Sequence, residues 1–147
     1  MNKVKEEQYQ RFDDVMHRIY KRLRQLHGEV NTMFPEGITS SELSVLKVAS
    51  KYPDAALKEI SNYLDIPGST LTSIIDRLEK RNLLRRAISP QNRRSYVLEL
   101  TQEGIKISDL HEAAEKELWK KVLGALSENN ERDTLIELLD KICRGME

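Results

Sequence analysis

The fold of this 147-residue chain is decided by one stretch, Gly68-Ser69-Thr70-Leu71-Thr72-Ser73-Ile74-Ile75-Asp76-Arg77-Leu78-Glu79-Lys80-Arg81. Its apolar residues recur at steps of three, one and three, which places them on one side of a helix: Leu71, Ile74, Ile75 and Leu78. The other side is polar, with small hydroxyls at its start and cations toward its end: Ser69, Thr70, Thr72, Ser73, Asp76, Arg77 and Lys80. Ordinary surface helices also have two such faces, so this pattern alone does not assign a function to the helix, and the neighbouring sequence has to be considered.

Two shorter helices and a tight turn precede this stretch. Thr39-Ser40-Ser41-Glu42 has the hydroxyl-x-x-carboxylate spacing of a capping box, and in the helix that follows we expect Lys47 to point outward. Pro53 ends this helix, because a proline ring is incompatible with a helix interior. Asp54 is expected to cap the next helix, which has three apolar positions for burial: Leu57, Ile60 and Leu64. With the turn Asp65-Ile66-Pro67-Gly68, this order predicts a helix-turn-helix.

A hairpin is predicted directly after the helix-turn-helix. Asn82 is expected to end the helix, since asparagine tolerates the left-handed backbone conformation. Leu84-Arg85-Arg86-Ala87-Ile88 and Ser95-Tyr96-Val97-Leu98-Glu99-Leu100 show the partial alternation of strands. The segment between them, Ser89-Pro90-Gln91-Asn92-Arg93-Arg94, is turn-forming and ends in two arginines. A hairpin in this position is called a wing.

Charge is distributed unevenly along the chain. The chain has 24 basic and 24 acidic residues and thus no net charge, with histidines counted neutral. Between Ser69 and Arg94, however, seven basic and two acidic residues give a formal charge of +5, so the rest carries −5. A basic segment in an otherwise acidic protein is typical of a phosphate-binding surface.

Helices with broad apolar stripes are predicted at both ends of the chain. The first should end at Gly28, and its stripe comprises Tyr9, Phe12, Val15, Met16, Ile19, Tyr20, Leu23 and Leu26. Thr101 is expected to cap a helix reaching about Leu126, and Ser127 to begin a last helix. These stripes exceed what a core of this size needs, so we expect them to pack against a symmetry mate. A helical layer on a monomer is the alternative.

The remaining composition excludes several classes of protein. Cys143, the single cysteine, cannot form an internal disulfide, and we expect it to pack as a small core hydrophobe. No apolar run approaches the roughly 18 residues of a membrane span, and the charged N-terminus does not resemble a secretory signal, so we expect a cytoplasmic protein. Glycine-rich nucleotide motifs are absent, the three histidines lie far apart, and we expect no cofactor and no metal site.

With the helix and wing both placed, the sequence resembles the MarR family of winged helix-turn-helix transcriptional regulators. The resemblance covers roughly residues 39–104. It begins with Thr39-Ser40-Ser41-Glu42-Leu43-Ser44-Val45-Leu46 and Ile66-Pro67-Gly68-Ser69-Thr70-Leu71-Thr72. Its most specific part is Asp76-Arg77-Leu78-Glu79-Lys80-Arg81-Asn82-Leu83-Leu84-Arg85-Arg86 with Ser89-Pro90-Gln91-Asn92-Arg93-Arg94-Ser95, followed by Leu98-Glu99-Leu100-Thr101-Gln102-Glu103-Gly104.

The resemblance implies a mainly α fold with a small β-hairpin wing, and a single unit over residues 1–147. Its DNA-binding lobe would span residues 39–100, and its dimerisation helices residues 6–27 and 102–145. A homodimer would place one recognition helix per subunit in the major groove of a palindromic operator. The candidate groove-facing residues are Ser69, Thr70, Thr72, Ser73 and Arg77, the candidate phosphate ligands are Lys80, Arg85 and Arg86, and the wing residues are Asn92, Arg93 and Arg94.

One residue departs from the family pattern. The family usually has an aspartate at the position of Asn92, and in the family pattern that aspartate orients the arginine corresponding to Arg94, which enters the minor groove. An asparagine accepts a hydrogen bond but supplies no charge.

The resemblance further implies a repressor that a small effector releases from DNA. Relatives bind small phenolic or carboxylate effectors where the dimerisation helices meet the DNA-binding lobe, and Tyr20, Arg24 and His27 are the candidate ligand-binding residues. A winged-helix module that binds protein rather than DNA is the alternative function. An enzyme is not expected, because the sequence has no motif of clustered catalytic groups.

Overall fold

Six helices and one hairpin form the part of the chain that this computed structural model describes, residues 3–32 and 34–146. In chain order the elements are α1 (Glu6–Asn31), α2 (Ser40–Lys51), α3 (Leu57–Leu64), α4 (Gly68–Lys80), β1 (Leu84–Ile88), β2 (Tyr96–Leu100), α5 (Gln102–Leu123) and α6 (Asn129–Gly145). The strands are antiparallel, with Leu84 opposite Leu100 and Ile88 opposite Tyr96. The predicted mainly α fold with a hairpin wing is thereby confirmed.

The hydrophobic core lies between α2, α3, α4, the hairpin and α5. All four apolar residues of the α4 stripe are buried there, as their spacing predicted: Leu71, Ile74, Ile75 and Leu78. They pack with Val45 and Leu46 of α2, Ile60 of α3 and Ile107 of α5. Burial of each such side chain contributes about 1.5–3 kcal/mol, so this core holds α4 with its polar side outward.

The caps of α2 and α3 differ in how well the sequence predicted them. The capping box of α2 is confirmed, since the Glu42 nitrogen donates to Thr39 Oγ1 at 3.2 Å and the Thr39 nitrogen to Glu42 Oε2 at 2.7 Å. The prediction that Asp54 caps α3 is wrong. The N-cap of α3 is Ala56, two residues after Asp54, and the Ala56 nitrogen donates to Glu59 Oε2 at 2.7 Å. Glu59 lies in the first turn of α3 and supplies the acceptor for the N-cap nitrogen. The position of Asp54 did not indicate this arrangement.

The junction from α4 through the hairpin to α5 is tightly hydrogen-bonded. Asn82 has the predicted left-handed conformation, with φ of 56°, and the Leu83 nitrogen donates to the Leu78 oxygen at 3.0 Å. These two features form a Schellman motif, which ends α4. Thr101 caps α5 as predicted, because its Oγ1 accepts from the Gly104 nitrogen at 3.0 Å. The Thr101 nitrogen donates in turn to the Leu83 oxygen at 3.0 Å, so the start of α5 lies against the start of β1.

The terminal helices have other bounds than those predicted. Helix α1 passes through Gly28 and ends at Asn31, so Gly28 does not end it. Helix α5 ends at Leu123 rather than near Leu126, and α6 begins at Asn129 after an N-cap at Glu128 rather than at Ser127. Arg132 of α6 explains the longer connection, because its guanidinium donates to the backbone oxygens of Leu123 and Leu126. Such a side-chain contact across a loop has no local sequence signal.

Large apolar side chains remain exposed on α1 and α6. None of the α6 residues is buried, and its apolar stripe is about half exposed: Ile136, Leu138, Leu139 and Ile142. Helix α1 has a similar exposed set in Tyr9, Phe12, Val15, Ile19 and Tyr20. Cys143 is exposed on α6, so the expectation that it packs in the core of this chain is wrong. Among the described residues, no helix is both long and apolar enough to cross a membrane.

Candidate nucleic-acid interface

The first two turns of α4 present hydroxyl groups on the surface. Ser69, Thr70, Thr72 and Ser73 are all exposed. Thr72 Oγ1 donates to the Gly68 oxygen at 2.9 Å, and Ser73 Oγ donates to the Ser69 oxygen at 3.1 Å. These two hydroxyls therefore direct acceptor lone pairs outward, since their protons are used within the helix.

Cations follow on the last turns of α4. Arg77 lies one turn after Ser73 on the same face, with its side chain 51% exposed, and its Nε donates to Glu42 Oε1 at 3.1 Å. Lys80 is exposed. Arg81 is half-buried and donates to the Glu36 oxygen at 3.2 Å, which ties the end of α4 to the connection before α2.

Arg86 joins the hairpin to the polar side of α4. Its Nη2 donates to Asp76 Oδ1 at 2.6 Å, its Nη1 contacts Glu79 Oε2, and its backbone nitrogen donates to Glu79 Oε1 at 2.8 Å. The Arg86 side chain is only 24% exposed. It thus holds β1 against α4, a role that the sequence did not predict, and its contact with phosphate stays a prediction.

Arg85 points away from this junction. Its Nη2 lies 2.6 Å from Glu99 Oε2, the residue opposite it on β2. Both side chains are well exposed, so the pair contributes less than about 1 kcal/mol and the guanidinium can exchange partners.

The loop at the tip of the hairpin is ordered by backbone contacts to two side chains. The buried Ser89 hydroxyl accepts from the Gln91 and Asn92 nitrogens, each at 3.3 Å. Asn92 Oδ1 accepts from the Arg94 nitrogen at 3.0 Å. Asn92 therefore shapes the loop through its contact with the backbone of Arg94. An aspartate at this position could also form an ion pair with the Arg94 guanidinium. Arg93 and Arg94 are both exposed.

The three residues predicted to bind an effector, Tyr20, Arg24 and His27, are exposed along α1 in the single chain. Their role stays a prediction.

Sequence reasoning missed a polar cluster where α5 meets α2 and α3. A cavity of about 190 Å³ lies here, lined by Ser44, Lys47, Val48, Lys51, Tyr63, Leu64, His111 and Glu115. Lys47, which we expected to point outward, is half-buried and ion-paired with Glu115. The His111 ring lies 5.8 Å from that of Phe34 between centroids, and its buried Nδ1 has no hydrogen-bond partner among the described residues. Burial lowers the pKa of His111, and Lys47 adds to this effect while Glu115 opposes it.

Metal binding is not indicated by the described residues, which contain no group of three or more histidine, cysteine, aspartate or glutamate side chains arranged to hold an ion.

The exposed polar face of α4, the turn before it and the arginine-tipped hairpin define the chain as a winged helix-turn-helix protein. The MarR family model matches residues 38–96. The HTH-type transcriptional repressor MdtR of Bacillus subtilis (strain 168) is 32% identical over 100 residues, which are 67% of this chain and 64% of MdtR, just under two thirds of its length.

Solved structures show the same fold over nearly the whole chain. Streptococcus pneumoniae FabT, in complex with DNA, has a TM-score of 0.81 and 26% identity, over 94% of this chain and 96% of FabT. A MarR family protein from Bacillus stearothermophilus has a TM-score of 0.76 and 23% identity, over 98% and 99% of the chains. Over residues 38–96 the chain is thus similar to the MarR family, and over nearly its whole length it shares the fold of these structures. Relatives of the chain are named as transcriptional regulators, in agreement with the expectation that it is not an enzyme.

Proposed function

We propose that this chain is a transcriptional repressor that binds a palindromic operator as a homodimer. Helix α4 enters the major groove, and the hairpin lies beside it with Arg94 in the minor groove. The observation that carries this proposal is the shared surface of α4 and the hairpin. Four exposed hydroxyls and Lys80 lie on α4, and Arg86 holds β1 against that helix. The arrangement supplies groups for base edges and phosphates from adjoining elements.

The apolar stripes of α1 and α6 support the homodimer. Side chains such as Phe12 and Leu139 are more than half exposed in the single chain, at 57% and 52%. Burying a large apolar side chain contributes about 1.5–3 kcal/mol, so pairing these helices with a second copy would stabilise the assembly. Two-fold symmetry then calls for half-sites about 34–36 Å apart.

Repression, and release by a small effector, extend the proposal to regulation. The relative MdtR is named as a repressor, which supports the first part. For the second, the candidate ligand-binding residues are Tyr20, Arg24 and His27 on α1. The domain division, with a DNA-binding lobe at residues 39–100 between dimerisation helices, is part of the same proposal.

Selection from random duplex DNA tests the proposal. We expect the full chain to enrich a palindrome, and its affinity to fall steeply as salt rises, because bound cations release counterions from DNA. Failure to enrich any sequence would contradict specific DNA binding. Binding to protein with no salt-sensitive affinity for duplex DNA would favour the protein-interaction module instead.

A single substitution tests the wing. Arg94→Ala should weaken binding to the selected duplex about 10- to 100-fold, the range expected for a lost arginine contact to DNA bases. The unfolding temperature should not change, because the side chain is exposed. Lys120→Ala, which removes an exposed cation from α5, is the matched control and should bind as the wild type does. Equal affinities of the Arg94→Ala variant and the wild type at fixed salt would exclude this role.

A further inference from the structure

Glu42 is a charged side chain in the interior of the DNA-binding lobe. It is 2% exposed and lies in the first turn of α2, between Thr39 and the recognition helix α4. Burying a carboxylate is costly unless its oxygens are paired. Both oxygens are paired here: Oε2 accepts from the Thr39 nitrogen at 2.7 Å and Oε1 from Arg77 Nε at 3.1 Å.

The capping box alone does not account for a charge at this position. A glutamine serves the same capping function, since its side-chain oxygen also accepts from the N-cap nitrogen. Glu59 provides an internal comparison, because it caps α3 in the same way and is exposed. What distinguishes Glu42 is burial together with its contact to Arg77, 35 residues further along the chain.

The contact uses only one edge of the guanidinium. Nε faces the buried carboxylate, and within the described chain neither Nη1 nor Nη2 has a hydrogen-bond partner. Because the Arg77 side chain is 51% exposed, these terminal nitrogens lie at the surface of α4, one turn after Ser73. The two terminal nitrogens of a guanidinium can donate together to the paired acceptors of a guanine edge in the major groove.

We propose that Glu42 is a positioning residue for DNA recognition, and that it holds Arg77 so that its terminal nitrogens read a base. This inference rests on the proposed function. A long side chain that is ordered before binding loses less rotamer freedom when the complex forms. For a site contacted by two subunits, this advantage corresponds to roughly tenfold to hundredfold in affinity.

A double-mutant cycle on the full-length protein tests the proposal, with the selected duplex and a random duplex at the same salt. Glu42→Gln should weaken binding to the selected duplex at least about tenfold and change binding to random duplex less than about twofold. In an Arg77→Ala background, Glu42→Gln should have no further effect, because the side chain that it positions is gone. Glu59→Gln is the matched control and should bind both duplexes as the wild type does.

Several outcomes would overturn the proposal. Additive effects of Glu42→Gln and Arg77→Ala, or an equal loss on both duplexes, would make Glu42 purely structural. If Glu42→Gln lowers the unfolding temperature below the assay range, Arg77→Lys decides, since lysine keeps the charge but lacks the paired nitrogens. Wild-type affinity of Arg77→Lys for the selected duplex would refute base reading. If the wild type itself selects no sequence, the proposed function fails, and this inference with it.

Discussion

Replacing Gly104 with alanine should destabilise the winged helix-turn-helix strongly. Gly104 is in the first turn of α5, and a Cβ built on it would lie 1.9 Å from the Leu83 oxygen and 2.9 Å from the Leu83 carbonyl carbon. Real Cβ contacts essentially never fall below 3.0 Å. The start of α5 and the start of β1 would therefore have to separate by more than about 1 Å. Both obstructing atoms belong to the backbone, so rotation of a side chain cannot relieve the contact.

The magnitude follows from what this separation breaks. The Thr101 nitrogen donates to the same Leu83 oxygen at 3.0 Å, and the Thr101 hydroxyl shares its one proton between the Asn82 oxygen at 2.8 Å and the Leu83 oxygen at 3.1 Å. Losing the two hydrogen bonds to the Leu83 oxygen costs about 1 kcal/mol each. Overpacking adds about 1–3 kcal/mol, so we expect the free energy of unfolding to fall by about 3–5 kcal/mol. This loss corresponds to roughly 6–20 °C in unfolding temperature for a chain of this size.

Urea and thermal unfolding of wild type, Gly104→Ala and Gly68→Ala measure the effect. Gly68 is the matched control, because a Cβ there meets no atom within 4 Å and Gly68 also occupies the start of a helix. Gly68→Ala should leave the free energy of unfolding within about 0.5 kcal/mol or raise it slightly. A Gly104→Ala variant as stable as wild type would refute the close packing of α5 on Leu83.

Three further predictions concern other parts of the molecule. Leu139→Asp should shift the proposed dimer to monomers in sedimentation, because it places a charge in the apolar stripe of α6. The control Lys141→Ala should not, and an unchanged dimer in the Leu139→Asp variant would place the interface elsewhere. Because burial keeps the pKa of His111 below its ordinary 6.5, the unfolded chain takes up the proton more readily, so stability should fall as the pH drops below about 6.5. His111→Gln should flatten that dependence in unfolding measurements at pH 7.5 and 5.5, and an unaltered slope would contradict it. Asn82→Ala should lower the free energy of unfolding by about 1 kcal/mol, because Asn82 has a φ of 56°, whereas Asn82→Gly should leave it nearly unchanged. Equal losses in both variants would mean that another property of the asparagine matters.

Local patterns in the sequence predicted the elements that depend on local physics. The Leu71–Leu78 stripe repeats with the period of a helix and is buried because the helix has one core-facing side. The Thr39–Glu42 box and the left-handed Asn82 are decided within a few residues of chain, and both were predicted correctly. The end of α1 was not, because glycine is only weakly unfavourable inside a helix and Gly28 did not stop it.

Contacts between residues distant in sequence could not be predicted in this way. Lys47 reads as an outward-facing charge on α2, yet it pairs with Glu115, 68 residues away. Arg77 and Arg86 read as free cations, yet Glu42 contacts the first and Asp76 and Glu79 contact the second. A charge that pairs inside the protein and a charge that faces solvent have the same local sequence signal.

Contacts within the protein determine how many cations of the basic segment between Ser69 and Arg94 are available for the proposed DNA binding. Of its seven cations, Arg77, Arg81, Arg85 and Arg86 contact protein groups, whereas the side chains of Lys80, Arg93 and Arg94 have no hydrogen-bond partner within the described residues. If only these three side chains neutralise phosphates, the proposed dimer displaces counterions from about six phosphates. The logarithm of its affinity should then fall with the logarithm of salt concentration at a slope of about −5. Seven cations per subunit would give a slope of about −13. The measured slope therefore distinguishes a surface in which the paired arginines keep their protein partners from one in which DNA replaces those partners.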